Sequence, residues 1–193
     1  MAHILYLHGF LSSPLSQKAQ LIQAWMAKKR PDLKFTCPQL SSYPSEALAQ
    51  IKSCINETSA PLYVIGSSLG GFWASHVIES GWAEKAVLIN PAVSPHLRFT
   101  DRVGIPQKSY YSDDVYTLET ADLDFLGQCE SETLKNPDRY WVLLQTGDEV
   151  LDYRMAAERY ASARVSIEEG GDHSFIGFDR HFDDIIRFFE ASQ

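Results

Sequence analysis

Basic residues are in short supply. The 193-residue chain carries 17 Lys and Arg against 25 Asp and Glu, for a net charge of −8 and a pI near 5.2. A nucleic-acid groove or an anionic membrane surface needs clustered cations, so no nucleic acid and no membrane insertion are expected among its partners. Cysteine is scarce as well. Cys37, Cys54 and Cys129 are odd in number, far apart and without C-x-x-C spacing, which argues against both a disulfide framework and a zinc site. Reduced thiols in a cytoplasmic protein are expected instead. The first residues, Met1 to Leu5, enter a strand-like run with no basic n-region, long apolar h-region or cleavage site, so export is not expected. Internal repeats and low-complexity tracts are missing too.

What is present is a regular alternation. With 45% hydrophobic and 22% charged residues, a chain of this size removes roughly 70% of its unfolded surface on folding and supports one globular domain, here residues 1–193. Short apolar, β-prone runs recur at Ile4–Leu7, Lys34–Cys37, Leu62–Ile65, Lys85–Ile89, Tyr140–Leu144 and Arg164–Ile167. Helix-like stretches separate them at Ser16–Lys29, Ser45–Glu57, Leu69–Glu79 and Tyr153–Ala161, and a last one covers about Phe178–Ala191. In that last stretch Phe178, Phe182, Ile185, Ile186 and Phe189 form one apolar stripe. Strands that are continuously apolar and alternate with helices predict an α/β fold, a six-stranded, mainly parallel sheet with helices on both faces. One interval breaks the rhythm. Residues 91–139 are far longer than an ordinary α/β connection and predict an insertion or small lid within the domain.

The stretch Gly66-Ser67-Ser68-Leu69-Gly70 reads G-x-S-x-G between a strand and a helix. That context suits a nucleophile on a sharp strand-to-helix turn, where glycines relieve crowding around a strained serine. A dinucleotide fingerprint fails because Ser68 occupies the place of the second glycine, and a P-loop fails because Phe72 follows Gly71. The plain alternative is a Gly-Ser turn that only packs a helix on a sheet.

Ser68 needs a base, and the base needs an orienting carboxylate. In this topology they follow the nucleophile at the ends of later strands, in the order acid and then His. Asp148 follows the fifth strand in Gln145-Thr146-Gly147-Asp148, and His173 follows the sixth in Gly170-Gly171-Asp172-His173. Asp152 competes for the acid's role but reads more readily as the N-cap of the helix that Tyr153 opens. Asp172 is expected to be solvated, and His3, His76, His96 and His181 to be packing or surface residues. The oxyanion hole needs two backbone N–H donors. Leu69 is expected to supply one and Phe10 the other, with Leu11 the second choice; His8 is expected to shape that loop. Leu11 and Trp73, with Phe10, are expected to line a short substrate pocket.

The residues HGF, GSSLGG, NPAV, QTGDEVLDY and GGDHSF together resemble the α/β-hydrolase superfamily, and closely the YqiA-type family of small bacterial esterases. The similarity runs over nearly the whole chain and is weakest in residues 91–139. It implies an esterase or acyl-thioester hydrolase with Ser68, Asp148 and His173 as its triad, a mechanism that needs no metal, nucleotide or other cofactor. With 193 residues and a polar insertion the chain has little material to roof a long tunnel, so short-chain acyl esters or thioesters are expected. The resemblance also implies a trimmed fold that starts at the strand carrying the oxyanion loop, with sheet order 2-1-3-4-5-6. A catalytically silent binder of a small molecule or protein is the rival reading, and fold and motif fix neither substrate nor oligomeric state.

Overall fold

The computed structural model describes residues 2–191; residues 1, 192 and 193 of the expected domain lie outside the described residues. In chain order the elements are β1 (His3–Leu7), α1 (Gln17–Lys29), β2 (Lys34–Thr36), α2 (Pro44–Asn56), β3 (Leu62–Ser67), α3 (Leu69–Glu79), β4 (Lys85–Ile89), α4 (Pro95–Arg98), β5 (Gln107–Lys108), β6 (Val115–Tyr116), α5 (Thr120–Cys129), β7 (Tyr140–Gln145), α6 (Tyr153–Arg159), β8 (Arg164–Glu168) and α7 (Phe182–Glu190). Six strands form one parallel sheet in the order β2-β1-β3-β4-β7-β8. This is the expected order, since β7 and β8 are the fifth and sixth of the predicted strands.

Strand periodicity divides the core in two. Successive side chains point to opposite faces, so Leu5, Leu7, Val64, Leu88, Val142 and Leu144 pack with α2, α3, α5 and α6 on one side. Ile4, Tyr6, Ile65, Val87, Trp141 and Leu143 pack with α1 and α7 on the other. The α7 stripe is buried as predicted, but not as one helix. Gly177, at φ +77°, turns the chain into a 3₁₀ segment over Phe178–His181, and the α-helix begins only at Phe182. Lys85 on β4 closes the far end of α7, its Nζ donating to the carbonyls of Phe188 and Ala191 at 2.8 and 2.7 Å. Such a cation at a helix C-terminus satisfies otherwise orphaned carbonyls.

Residues 91–139 contain α4, a 3₁₀ turn (Thr100–Arg102), the antiparallel β5–β6 hairpin, α5 and a second 3₁₀ turn (Pro137–Arg139). The hairpin region is tied to the loop after β1. Tyr110 N–H and Ser109 Oγ–H both donate to the Leu11 carbonyl, at 3.0 and 3.3 Å. Among the described residues, no helix is long and apolar enough to cross a membrane.

Candidate active site

The carboxyl ends of β1, β3, β7 and β8 converge on Ser68. Its backbone sits at φ 55°, ψ −122°, a region that side chains other than glycine rarely occupy. Two glycines make the turn possible. A Cβ on Gly66 would collide with the Gly70 carbonyl, and one on Gly70 would collide with the Leu7 carbonyl of β1. The second clash shows that Gly70 is needed for the close approach of α3 to the neighbouring strand, in addition to the turn itself. The turn is also pinned from outside: Ser68 N–H donates to Ile89 O at 3.0 Å, and Ser68 O accepts from Ala92 N–H at 3.0 Å.

Three side chains form a continuous relay. His173 Nε2 lies 3.1 Å from Ser68 Oγ, and His173 Nδ1 lies 2.9 and 2.8 Å from the two carboxylate oxygens of Asp148. Only 1% of the Asp148 side chain is exposed, against 22% for His173. Asp148 Oδ1 also accepts the N–H groups of Val150 and Leu151 at 2.9 and 2.8 Å. Burial pushes the Asp148 pKa up, but His173 and those two amides outweigh it and hold the carboxyl below its ordinary range. Asp152 does not reach the relay. It caps α6, accepting from Arg154 N–H at 3.1 Å, and pairs with the Arg154 side chain.

The His173 loop is held by residues that carry no local sequence signal. Gln145, buried at the end of β7, accepts from the N–H groups of Asp172 and Ile176 and donates to Ile176 O and Glu168. Buried Asn90 accepts from Gln145 N–H at 3.0 Å and donates to the carbonyls of Asp172 and His173 at 3.1 and 3.3 Å. Glu149 accepts from His173 N–H at 3.0 Å. The NPAV motif contained Asn90, but nothing in its spacing marks it as a clamp.

Phe10 and Leu69 both line the cavity beside Ser68. Among the described residues, neither of their N–H groups has a hydrogen-bond partner. Leu11 N–H is committed to Ser42 Oγ at 3.0 Å, which removes it as an alternative donor. His8 shapes the loop: its Nε2 accepts from Leu40 N–H, its Nδ1 bonds Gly9 O, and burial lowers its pKa.

Three expectations are corrected here. Trp73 does not line the cavity; it is 2% exposed and packs edge-on against Phe72 in the core. Leu11 does not line it either, being 4% exposed with φ 58°. Asp172 is half-buried rather than solvated, with Oδ1 covered and unpartnered. The cavity of about 340 Å³ is walled instead by Phe10, Phe99, Tyr110, Tyr111, Val150 and Leu151 around Ser68. Phe99 packs on Phe10 with ring centroids 4.9 Å apart, so residues 91–139 supply one side of the wall.

Known proteins share this architecture. The chain superposes on the mouse alpha/beta hydrolase domain-containing protein 10 with a TM-score of 0.72 and 15% identity, over 96% of this chain and 89% of that one. A structure of the metagenome-derived lipolytic enzymes LipS and LipT matches with a TM-score of 0.67 and 16% identity, over 97% and 93% of the two chains. At these identities the likeness establishes the α/β-hydrolase fold. In sequence, a UPF0227 protein of Serratia proteamaculans is 26% identical over 194 residues, covering 96% of this chain and 97% of its own length. Residues 3–190 match the UPF0227 pattern, and the chain therefore belongs to that uncharacterised protein family, the YqiA-type group its motifs resemble.

Proposed function

We propose that the protein is a serine hydrolase of acyl esters and acyl thioesters. Ser68 Oγ attacks the acyl carbonyl while His173 Nε2 takes its proton. Asp148 accepts from Nδ1–H, fixing the tautomer with a free Nε2 lone pair and stabilising the imidazolium once it forms. The Phe10 and Leu69 amides receive the oxyanion; His173 then returns the proton to the leaving group, and water releases the acyl-enzyme by the same route. Residues 91–139 act within the same single domain as a side wall to the acyl pocket. The reducing cytoplasm is the proposed setting, a reading that fits three unpaired cysteines and a Cys37 thiol pushed up to about 12 by burial.

The observation that carries the reading is the unbroken relay from Ser68 through His173 to buried Asp148. A fluorophosphonate probe should label the wild-type protein at Ser68 and leave Ser68→Ala unlabelled, with ester turnover lost and the fold retained. Retained turnover in Ser68→Ala would exclude Ser68 as nucleophile. No labelling and no turnover in the wild type would leave the silent binder.

A further inference from the structure

The cavity has the wrong charge for the molecule that surrounds it. Acids outnumber bases 25 to 17 along the chain, yet Lys18, Arg98 and Arg102 line the cavity and no Asp or Glu does. The three come from separate elements: Lys18 from the first turn of α1, Arg98 from the end of α4, Arg102 from the 3₁₀ turn after it.

Each holds only a neutral partner. Lys18 Nζ donates to Ser174 O at 2.9 Å, beside His173. Arg98 donates to Val150 O, and Arg102 reaches Gln107 Oε1 at 3.4 Å. Among the described residues, none of the three is ion-paired, whereas Arg30, Lys108, Arg154, Arg180 and Arg187 elsewhere each meet a carboxylate. Lys18 is the most confined: burial lowers its pKa to about 8, against the opposing pull of Asp172 and then Asp148. Partly buried Lys18 and Arg102, with exposed Arg98 at the rim, gather positive charge in a concave site without a carboxylate in direct contact, and such a site is complementary to a ligand anion. Phe10, Phe99 and Tyr111 beside them suit an apolar chain.

Resting on the hydrolase reading, we propose that the substrate is an amphiphilic anionic ester or thioester, which carries a carboxylate or phosphate besides its scissile bond and seats that anion among Lys18, Arg98 and Arg102. Matched pairs test it. Mono-4-nitrophenyl adipate against 4-nitrophenyl hexanoate puts the charge on the acyl side. Butyrate esters of 4-hydroxybenzoate and 4-hydroxyphenyl phosphate against that of 4-hydroxybenzamide put it on the leaving group, as carboxylate or phosphate.

At low salt at least one anionic ester should exceed its neutral partner by about tenfold in kcat/KM. That ratio should fall toward one in Arg102→Met or Lys18→Met, and in 0.5 M NaCl. Neutral esters that match or exceed every anionic partner would overturn the proposal. A second arm needs no turnover: calorimetry on Ser68→Ala should find 6-phenylhexanoate bound about tenfold more tightly than 6-phenylhexanamide. Selective carboxylate binding with no ester turnover would refute the hydrolase reading and uphold the anion site. Turnover without any anionic preference, in rate or in binding, would do the reverse.

Discussion

Asp148 and Asp152 lie four residues apart and have different work. Asp148 is enclosed and bonded to His173, whereas Asp152 caps a helix at the surface. Asp148→Asn should lower kcat on the order of 10⁴-fold, since the amide favours the wrong imidazole tautomer. Asp152→Asn should leave kcat near wild type and cost only a slight loss of thermal stability. Parallel kinetics on the two variants decide the assignment, and the reverse pattern would make Asp152 the acid. The acid limb of stability offers a second readout. A carboxyl whose folded pKa lies below its unfolded value contributes stability that is fully present above the unfolded value and is lost as pH falls through the folded one. Urea unfolding below about pH 4 should therefore steepen less with acid in Asp148→Asn than in the wild type. The residue scale also shows what sequence proximity hides. Trp73, five positions past Ser68, looked like pocket lining, but every residue of α3 except His76 is buried, so a place on this helix does not single out the face that meets the cavity. Leu11 was misplaced for a related reason: its positive φ turns a residue of the oxyanion loop inward.

Among the elements, the strands were the most legible part of the chain. Their continuous apolar runs leave only one environment that suits them, a sheet covered on both faces; the strand order came from the family resemblance, not from the runs themselves. Helix limits were less legible, because the apolar stripe runs unbroken through a 3₁₀ segment (Phe178–His181) and an α-helix (from Phe182) and its burial does not mark the change. The short hairpin β5–β6 was illegible: two residues per strand carry no periodicity to read. The clamp made by Asn90 and Gln145 was invisible as well, since its partners lie between 23 and 83 positions apart. That clamp has a testable consequence. Gln145→Leu keeps the volume but deprives the part-buried Asp172 and Ile176 amides of their acceptor, a loss that stays below the roughly 1–3 kcal/mol of a fully buried unpartnered donor. The His173 loop should shift, kcat should fall by at least tenfold, and amide exchange should quicken around residues 170–176. An unchanged kcat would mean that Asn90 and Glu149 suffice to hold the loop.

For the molecule as a whole, the fold was readable from its strong strand signals, and so was the clustering of Ser68, His173 and Asp148 beside the loop after β1, because each follows the end of such a strand. The cavity was not, since one side of its wall, with Phe99, Tyr110 and Tyr111, comes from the irregular residues 91–139. Its volume of about 340 Å³ lies near the lower end of ligand pockets, roughly 300–1,000 Å³. Each buried methylene contributes about 0.8 kcal/mol, so with neutral 4-nitrophenyl esters kcat/KM should climb from acetyl to butyryl or hexanoyl and then decline. Measurements below the micelle concentration check this, and a rise that continues to palmitoyl would require residues 91–139 to open into an apolar lid. The order of the sheet has a further effect, in time rather than in space. Phe10 and Ser68 follow strands made early in synthesis, β1 and β3, while Asp148 and His173 follow the last two strands, and Lys85 must wait for α7 before its ammonium finds the carbonyls it holds. Contacts so distant along the chain close slowly. A nascent chain therefore carries Ser68 without its His173 and Asp148 partners through most of its synthesis, and on the proposed mechanism it stays chemically silent until the last strands and their loops have docked.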